Sequence, residues 1–349
     1  MSAHARCQTM LSLAFFVLAA FVLGQPAFSQ ATWSVTNTFH VGGEGGWDYV
    51  TIDSNTRRLY VTRSTHTMVL DAATGKTIGD IPGQKRSHGV ALVPELGRGF
   101  ISDGGGNGAI VIFDLKTNAI LGSIPAVPDA DGIIYDKFTN RVLAVSGDGG
   151  VLMSLSPDVD PHNGKMGPAL QLGGSPEFLA ADGAGHVYVN LEDKDLVAVV
   201  DLKQNKVVSR WPVAPGGKPV GLAMDRQKRL LYIGCRDPQK MIVMNADSGK
   251  ILADLPIGVG VDATKFDGAR AFASCRDGKL FVIAETAPGR FTVVQTVATP
   301  AGARTMDMDT SSHAIYLPTA ELEPAKQEAR PEAKPDTFMI VVVSQQGRK

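Results

Sequence analysis

The sequence predicts an all-β protein: a seven-bladed β-propeller closed by its N-terminal strand, which completes the last blade. Three observations predict it. A strand–turn–strand unit recurs at a spacing of about 42 residues. A second hairpin follows in most units, giving four strands per repeat. The last repeat ends one strand short, while an unused strand stands near the other end of the chain.

The first hairpins read VTIDSNTRRLYVT, VALVPELGRGFIS, GIIYDKFTNRVLAVS, FLAADGAGHVYVN, GLAMDRQKRLLYIG, TKFDGARAFAS and TMDMDTSSHAIYLP. Their turns are anchored by Asp53, Pro94, Asp136, Asp182, Asp225, Asp267 and Asp309. The second hairpins carry MVLDAATGKTIGDI, IVIFDLKTNAILGSI, VAVVDLKQNKVVSRW and MIVMNADSGKILADL. Asp or Asn caps such a turn, and Gly or Asn takes the positive φ it needs. The sixth repeat keeps this loosely, and the third carries an insertion near 157–164. The seventh ends in FMIVVVS. Its missing partner is TWSVTNTFHV at 32–41, and pairing the two leaves no open sheet edge.

The first 29 residues have the form of a secretory signal peptide. Arg6 precedes an apolar run from Met10 to Leu23, and Ala27 and Ser29 suit a cleavage after 29. The run is about 14 residues, short of the about 20 a spanning helix needs. Residues 30–349 then form the propeller, with a charged, Pro-rich insertion at 320–336 that reads as a mobile flap in blade seven. The expected protein is monomeric, periplasmic or secreted, with no membrane span after cleavage.

Composition excludes several classes. The net charge is −1, with 44% hydrophobic and 20% charged residues, so no global field attracts nucleic acid. No basic stripe with interleaved aromatics occurs, and a nucleic-acid partner is not expected. The absence of Cys-x-x-Cys-His excludes covalent haem, and no Gly-rich loop cradles phosphate. Past the leader only Cys235 and Cys275 remain, at matching places in neighbouring blades (GCRD and SCRD). They are a candidate disulfide, and Arg236 and Arg276 beside them are expected to add positive charge to one sector of the rim.

Counting five residues back from each turn anchor gives Asp48, Gly89, Asp131, Glu177, Val220, Asp262 and Arg304 at the mouth of the channel. His88 and Lys218 stand beside the two uncharged places, and Asn190 ends a second strand on the same face. This is the candidate ligand site. Like charges so placed raise one another's pKa unless neutralised. A divalent cation on Asp48, Asp131, Glu177 and Asp262 would neutralise them, and Ca²⁺ takes oxygen ligands of this type. The competing arrangement is a polar funnel with Arg304 pairing one or two carboxylates. His88 is the candidate acid or base, with Arg86 beside it expected to keep the imidazole neutral. His66 lies in a loop on the same face.

The pieces RLYV with DAATGK, LYIG with NADSGK, and HVYVN with DLKQNK resemble the YVTN-repeat (YncE-like) β-propeller family of exported bacterial proteins. The resemblance covers the whole mature chain and implies the fold rather than an activity. Similarity to lactonase-type propellers implies a divalent ion in the channel. The leading expectation is a binding or interaction scaffold for a small ligand or protein partner at the channel face, without catalysis. The second is a metal-dependent, lactonase-like hydrolase using the carboxylates with His88. The third is a haem-d1-like or redox accessory protein. A short-distance metal constellation would favour the second, and a salt-bridged funnel the first.

Overall fold

The computed structural model describes Met1 and residues 32–324 and 331–346. Apart from Met1, the leader expected at 1–29 lies outside the described residues. Seven four-stranded antiparallel sheets make seven blades, and six of them take their strands in chain order. Blade one is Val50–Asp53, Arg58–Thr62, Thr67–Asp71 and Thr77–Ile81. The next five open with Ser87–Val93, Ala130–Asp136, Pro176–Ala181, Pro219–Asp225 and Val261–Phe266. Blade seven opens with Asp307–Met308.

The chain closes as the sequence predicts. Trp33–His40 is the outermost strand of blade seven, paired with Met339–Gln345 from Trp33↔Gln345 to His40↔Met339. Trp33 is buried against Phe272 of blade six, with ring centroids 4.8 Å apart. Its backbone exchanges two hydrogen bonds with the Gln295 amide, at 2.9 and 2.6 Å.

A single blade has two apolar faces and cannot bury either one. The core accordingly lies between blades, as seven clusters, one at each junction. Leu59 and Ile340 meet between blades one and seven, and Phe100 and Val142 between two and three. Each fully buried aliphatic or aromatic side chain contributes about 1.5–3 kcal/mol. Stacking is therefore the source of stability.

The turn anchors work as their chemistry requires. Asp53 Oδ1 accepts the N–H groups of Asn55 and Thr56, and Asp225 Oδ1 those of Gln227 and Lys228. In blade two the Asp is replaced by a 3₁₀ turn, Pro94–Leu96, which ends at Gly97 with φ 64°. Proline opens that turn because its missing N–H is not needed there.

Two loops depart from expectation or go beyond it. The described parts of the 320–336 insertion are laddered rather than loose. Glu323 N–H donates to Glu332 O and Lys334 N–H to Glu321 O, both at 2.8 Å, and Leu322 pairs with Ala333. A backbone ladder needs no apolar side chains, which is what composition missed; 325–330 lie outside the described residues. The Gly-rich stretch 42–46 wraps the buried guanidinium of Arg63, which donates to the carbonyls of Gly46 at 3.0 Å and Glu44 at 2.6 Å. The same guanidinium lies 3.8 Å from the Phe338 ring centroid. Arg63 thus binds the closing strand's exit loop to blade one. Among the described residues no helix is long and apolar enough to cross a membrane.

Candidate functional site

Every blade sends at least one charged side chain to the same mouth of the channel, and together they make a circuit. From blade four, Glu192 Oε1 lies 3.2 Å from Arg236 Nη1 of blade five. Arg236 also pairs with Asp262 of blade six. Asp262 Oδ2 is 2.6 Å from Arg304 Nε of blade seven, and Arg304 Nη2 is 3.7 Å from Asp48 Oδ1 of blade one. Asp48 Oδ2 is 2.6 Å from His88 Nδ1 of blade two, and that nitrogen is 3.5 Å from Asp131 Oδ1 of blade three. Glu177 of blade four hydrogen-bonds to Glu192.

Five carboxyl groups thus face three cationic groups, and the imbalance is relieved at Glu177 and Asp131, which are held toward their neutral forms. Burial pushes the Glu177 carboxyl up to about 9, helped by the hydrogen bond to Glu192 and the field of Asp131. Burial likewise raises Asp131 to about 7; Asp48, Asp129 and Asp262 add to it, while His88 opposes it. For His88, burial works against the charge. The hydrogen bond to Asp48 and the fields of Asp131 and Asp48 overcome it, so the imidazole is raised above its ordinary value. Its expected neutrality beside Arg86 is corrected: Arg86 turns to Asp129, 2.8 Å away. The Tyr49 phenol is raised well above its ordinary value by burial and by Asp131, Asp262, Asp48 and Glu177. Its position reports the negative potential of the bore.

Hydroxyls from neighbouring blades hold the ring from behind. Thr62 Oγ1 donates to the His88 carbonyl at 2.8 Å, and Ser102 Oγ to that of Asp131 at 2.5 Å. Ser274 Oγ donates to the carbonyl of Arg304 at 2.5 Å, and Thr305 Oγ1 to that of Asp48 at 2.7 Å. Thr62, Ser102 and Ser274 stand at one repeat position, near the end of each second strand. The polar residue of the repeat is therefore a blade-to-blade clamp that fixes the backbone of the charged residues.

The register count finds Asp48, Asp131, Glu177, Asp262 and Arg304, and His88 joins them. Asn190 belongs to the clamps instead. It is fully buried, and its Nδ2 donates to the carbonyls of Val220 and Gly221 at 2.9 and 3.1 Å. The Lys218 side chain is exposed, and its backbone N–H donates to Asp195 Oδ1 at 2.6 Å. His66 faces Asp80, with Nε2 3.8 Å from Oδ1. Register counting missed Glu192 and Arg236 as members of the ring, although the GCRD and SCRD echo points to Arg236 as positive charge on the rim.

The four-carboxylate cation set is not assembled, because both Asp262 oxygens are held by arginines. A different trio remains: Asp48, His88 and Asp131 bring one ligand atom each within 4.8 Å of one another. One imidazole nitrogen with two carboxylates is not the all-oxygen cage of Ca²⁺ and better suits a transition ion. The Cys235–Cys275 bridge is corrected as well. Both thiols are free and buried, Cys235 in the core between blades four and five and Cys275 between five and six. Successive junctions keep equivalent side chains apart, beyond the reach of a bridge.

No protein-family model matches the chain, and no curated protein matches it. Among solved structures it is similar to the Cps50 (Swd1) β-propeller domain of Myceliophteria thermophila. The identity is 12%, the match covers 90% of this chain and 99% of that one, and the TM-score is 0.66. It is also similar to the WD40 β-propeller domain of Doa1, at 12% identity, 90% and 98% coverage, and TM-score 0.68. These likenesses establish the seven-bladed fold. No family model shows the YVTN-repeat family named from the sequence.

Proposed function

We propose that the chain is an exported binding scaffold without catalysis of its own, and that its charged mouth takes a small organic cation. The observation that carries this reading is the unbalanced ring. Arg236, Arg304 and His88 serve Asp262, Asp48 and Glu192, while Glu177 and Asp131 are the two carboxyls in excess and are held toward their protonated forms. A primary ammonium or guanidinium group set between Glu177 and Asp131 would replace the protons they bind. The salt-bridged funnel favours a scaffold over a hydrolase. His88 Nδ1 is committed to Asp48, and Nε2 is buried without a hydrogen-bond partner. The unpartnered nitrogen is shut off from solvent rather than presented to a substrate. Export rests on the leader at 1–29, whose form supports a periplasmic or secreted protein.

The test is calorimetric titration of putrescine and agmatine in buffers of different ionisation enthalpy. Binding with proton release, tighter at pH 8 than at pH 6 and lost in Asp131→Asn/Glu177→Gln, supports the reading. Binding without proton release, or unchanged in the double variant, sinks it.

A second reading, a metal-dependent hydrolase, rests on the Asp48, His88 and Asp131 trio. It expects Zn²⁺ or Mn²⁺ to raise the Tm by mass action, His88→Ala to abolish the rise, and lactone or ester hydrolysis to follow metal loading.

A further inference from the structure

Beyond the ring the channel changes character. Tyr49 and Phe178 meet across the bore with ring centroids 5.1 Å apart. They line a cavity of about 300 Å³, walled by the innermost strands of blades one, two, three, four and six and the start of seven. Ile52, Leu92, Ile134 and Met306 are among its lining residues.

Among the described residues lining this cavity the only charged groups are Lys265 and Asp307. Lys265 Nζ lies 2.8 Å from Asp307 Oδ1 and 6.0 Å from the Phe178 ring centroid. Asp307 Oδ2 accepts the Ile52 N–H at 2.9 Å. Each aspartate oxygen therefore has a partner. The ammonium carries three donors and gives one to Asp307. It has capacity left, in an otherwise largely apolar space.

A mostly apolar cavity with a small number of polar groups is the usual form of a small-molecule site, and its volume is at the lower end of such sites, about 300–1,000 Å³. We propose that it is a second ligand site, for a small monocarboxylic acid with an aromatic or branched apolar body. The body packs against Tyr49, Phe178 and Leu92, and the carboxylate takes the spare donors of Lys265. A cation would meet an aspartate already paired with the Lys265 ammonium and the Ile52 N–H. A dianion finds one positive charge already half-neutralised. None of the ring's charged residues lines this cavity, which sets the site apart from the ring.

The experiment uses phenylacetate and 4-methylpentanoate, with phenylacetamide as the neutral match, on the purified protein by saturation-transfer NMR and calorimetry. Both acids should bind, and the amide at least about tenfold more weakly. Lys265→Met leaves Asp307 without its cation, so the matched variant is Lys265→Met/Asp307→Asn. A folded double variant should lose acid binding by about tenfold or more, a difference of about 1.4 kcal/mol. Glu177→Gln, at the ring, should leave acid affinity unchanged. The proposal is overturned if neither acid binds the wild type, if the folded double variant binds them equally well, or if Glu177→Gln abolishes binding. Loss of cation binding at the ring with acid binding retained would overturn the first proposal and leave this one standing.

Discussion

His88 Nδ1 sits 2.6 Å from Asp48 Oδ2, across the junction of blades two and one. Thr62 Oγ1 fixes the His88 carbonyl, and Thr305 Oγ1 fixes that of Asp48. The pair is thus positioned by its own backbone and by both adjoining blades. It favours the imidazolium, and the folded-state value lies above the ordinary 6.5. Its contribution to stability is full below about 6.5 and is lost as pH rises through the folded value. Asp48→Asn should lower the His88 titration midpoint by about one pH unit or more, read from its imidazole proton resonances. An unmoved midpoint would show that the contact carries no charge coupling.

Glu177 has the opposite chemistry and the same direction. Its carboxyl rises from the usual 4.5 to about 9. Between those values the folded protein holds a proton that the unfolded chain has released, so stability falls as pH climbs from about 4.5 to about 9. Glu177→Gln should flatten that fall and stabilise the protein at pH 9 by about 1 kcal/mol or more. Urea denaturation at pH 6 and pH 9 measures it. Equal slopes in the two proteins would place the titration elsewhere.

Ring closure depends on Trp33. The residue fills the junction of blades six and seven and holds Gln295 through its backbone. Trp33→Ala should cost about 3–5 kcal/mol in urea unfolding. A loss below about 1 kcal/mol would show that the ring is stable without its closing strand.

Cys235 and Cys275 should be inert in the native protein. Burial pushes both thiols up to about 12, and the thiolate is the reactive form. A chromogenic disulfide reagent should find neither before unfolding and both after it, with no reductant needed. Reaction of the native protein within seconds would contradict this burial.

The repeat was legible because its signals are local. Asp53, Asp136 and Asp225 cap turns through neighbours two or three residues away, and strand alternation records which side chains face another blade. Counting from those turns also found Asp48, Asp131, Glu177, Asp262 and Arg304. The count placed Gly89, not His88, at the register position, because it started from Pro94, whereas Val93 is the residue that pairs with Arg98 as Asp53 pairs with Arg58. Arg236 and Glu192 escaped it because they come from second strands and loops. Their partners lie on the next blade, at a sequence distance that no short motif records. Asn190 reads as a surface ligand in HVYVN, yet it lies wholly buried between blades.

By itself, the sequence determined the number of blades, the four-strand repeat and the use of the N-terminal strand to close the ring. Those follow from periodicity, turn chemistry and the need to cover apolar faces. Only the tertiary structure decided which charges pair, which way His88 is biased, and that Cys235 and Cys275 stay apart. These depend on distances between blades and on the loss of water around each group, and an interaction energy that varies with separation and burial is set only once the blades are stacked.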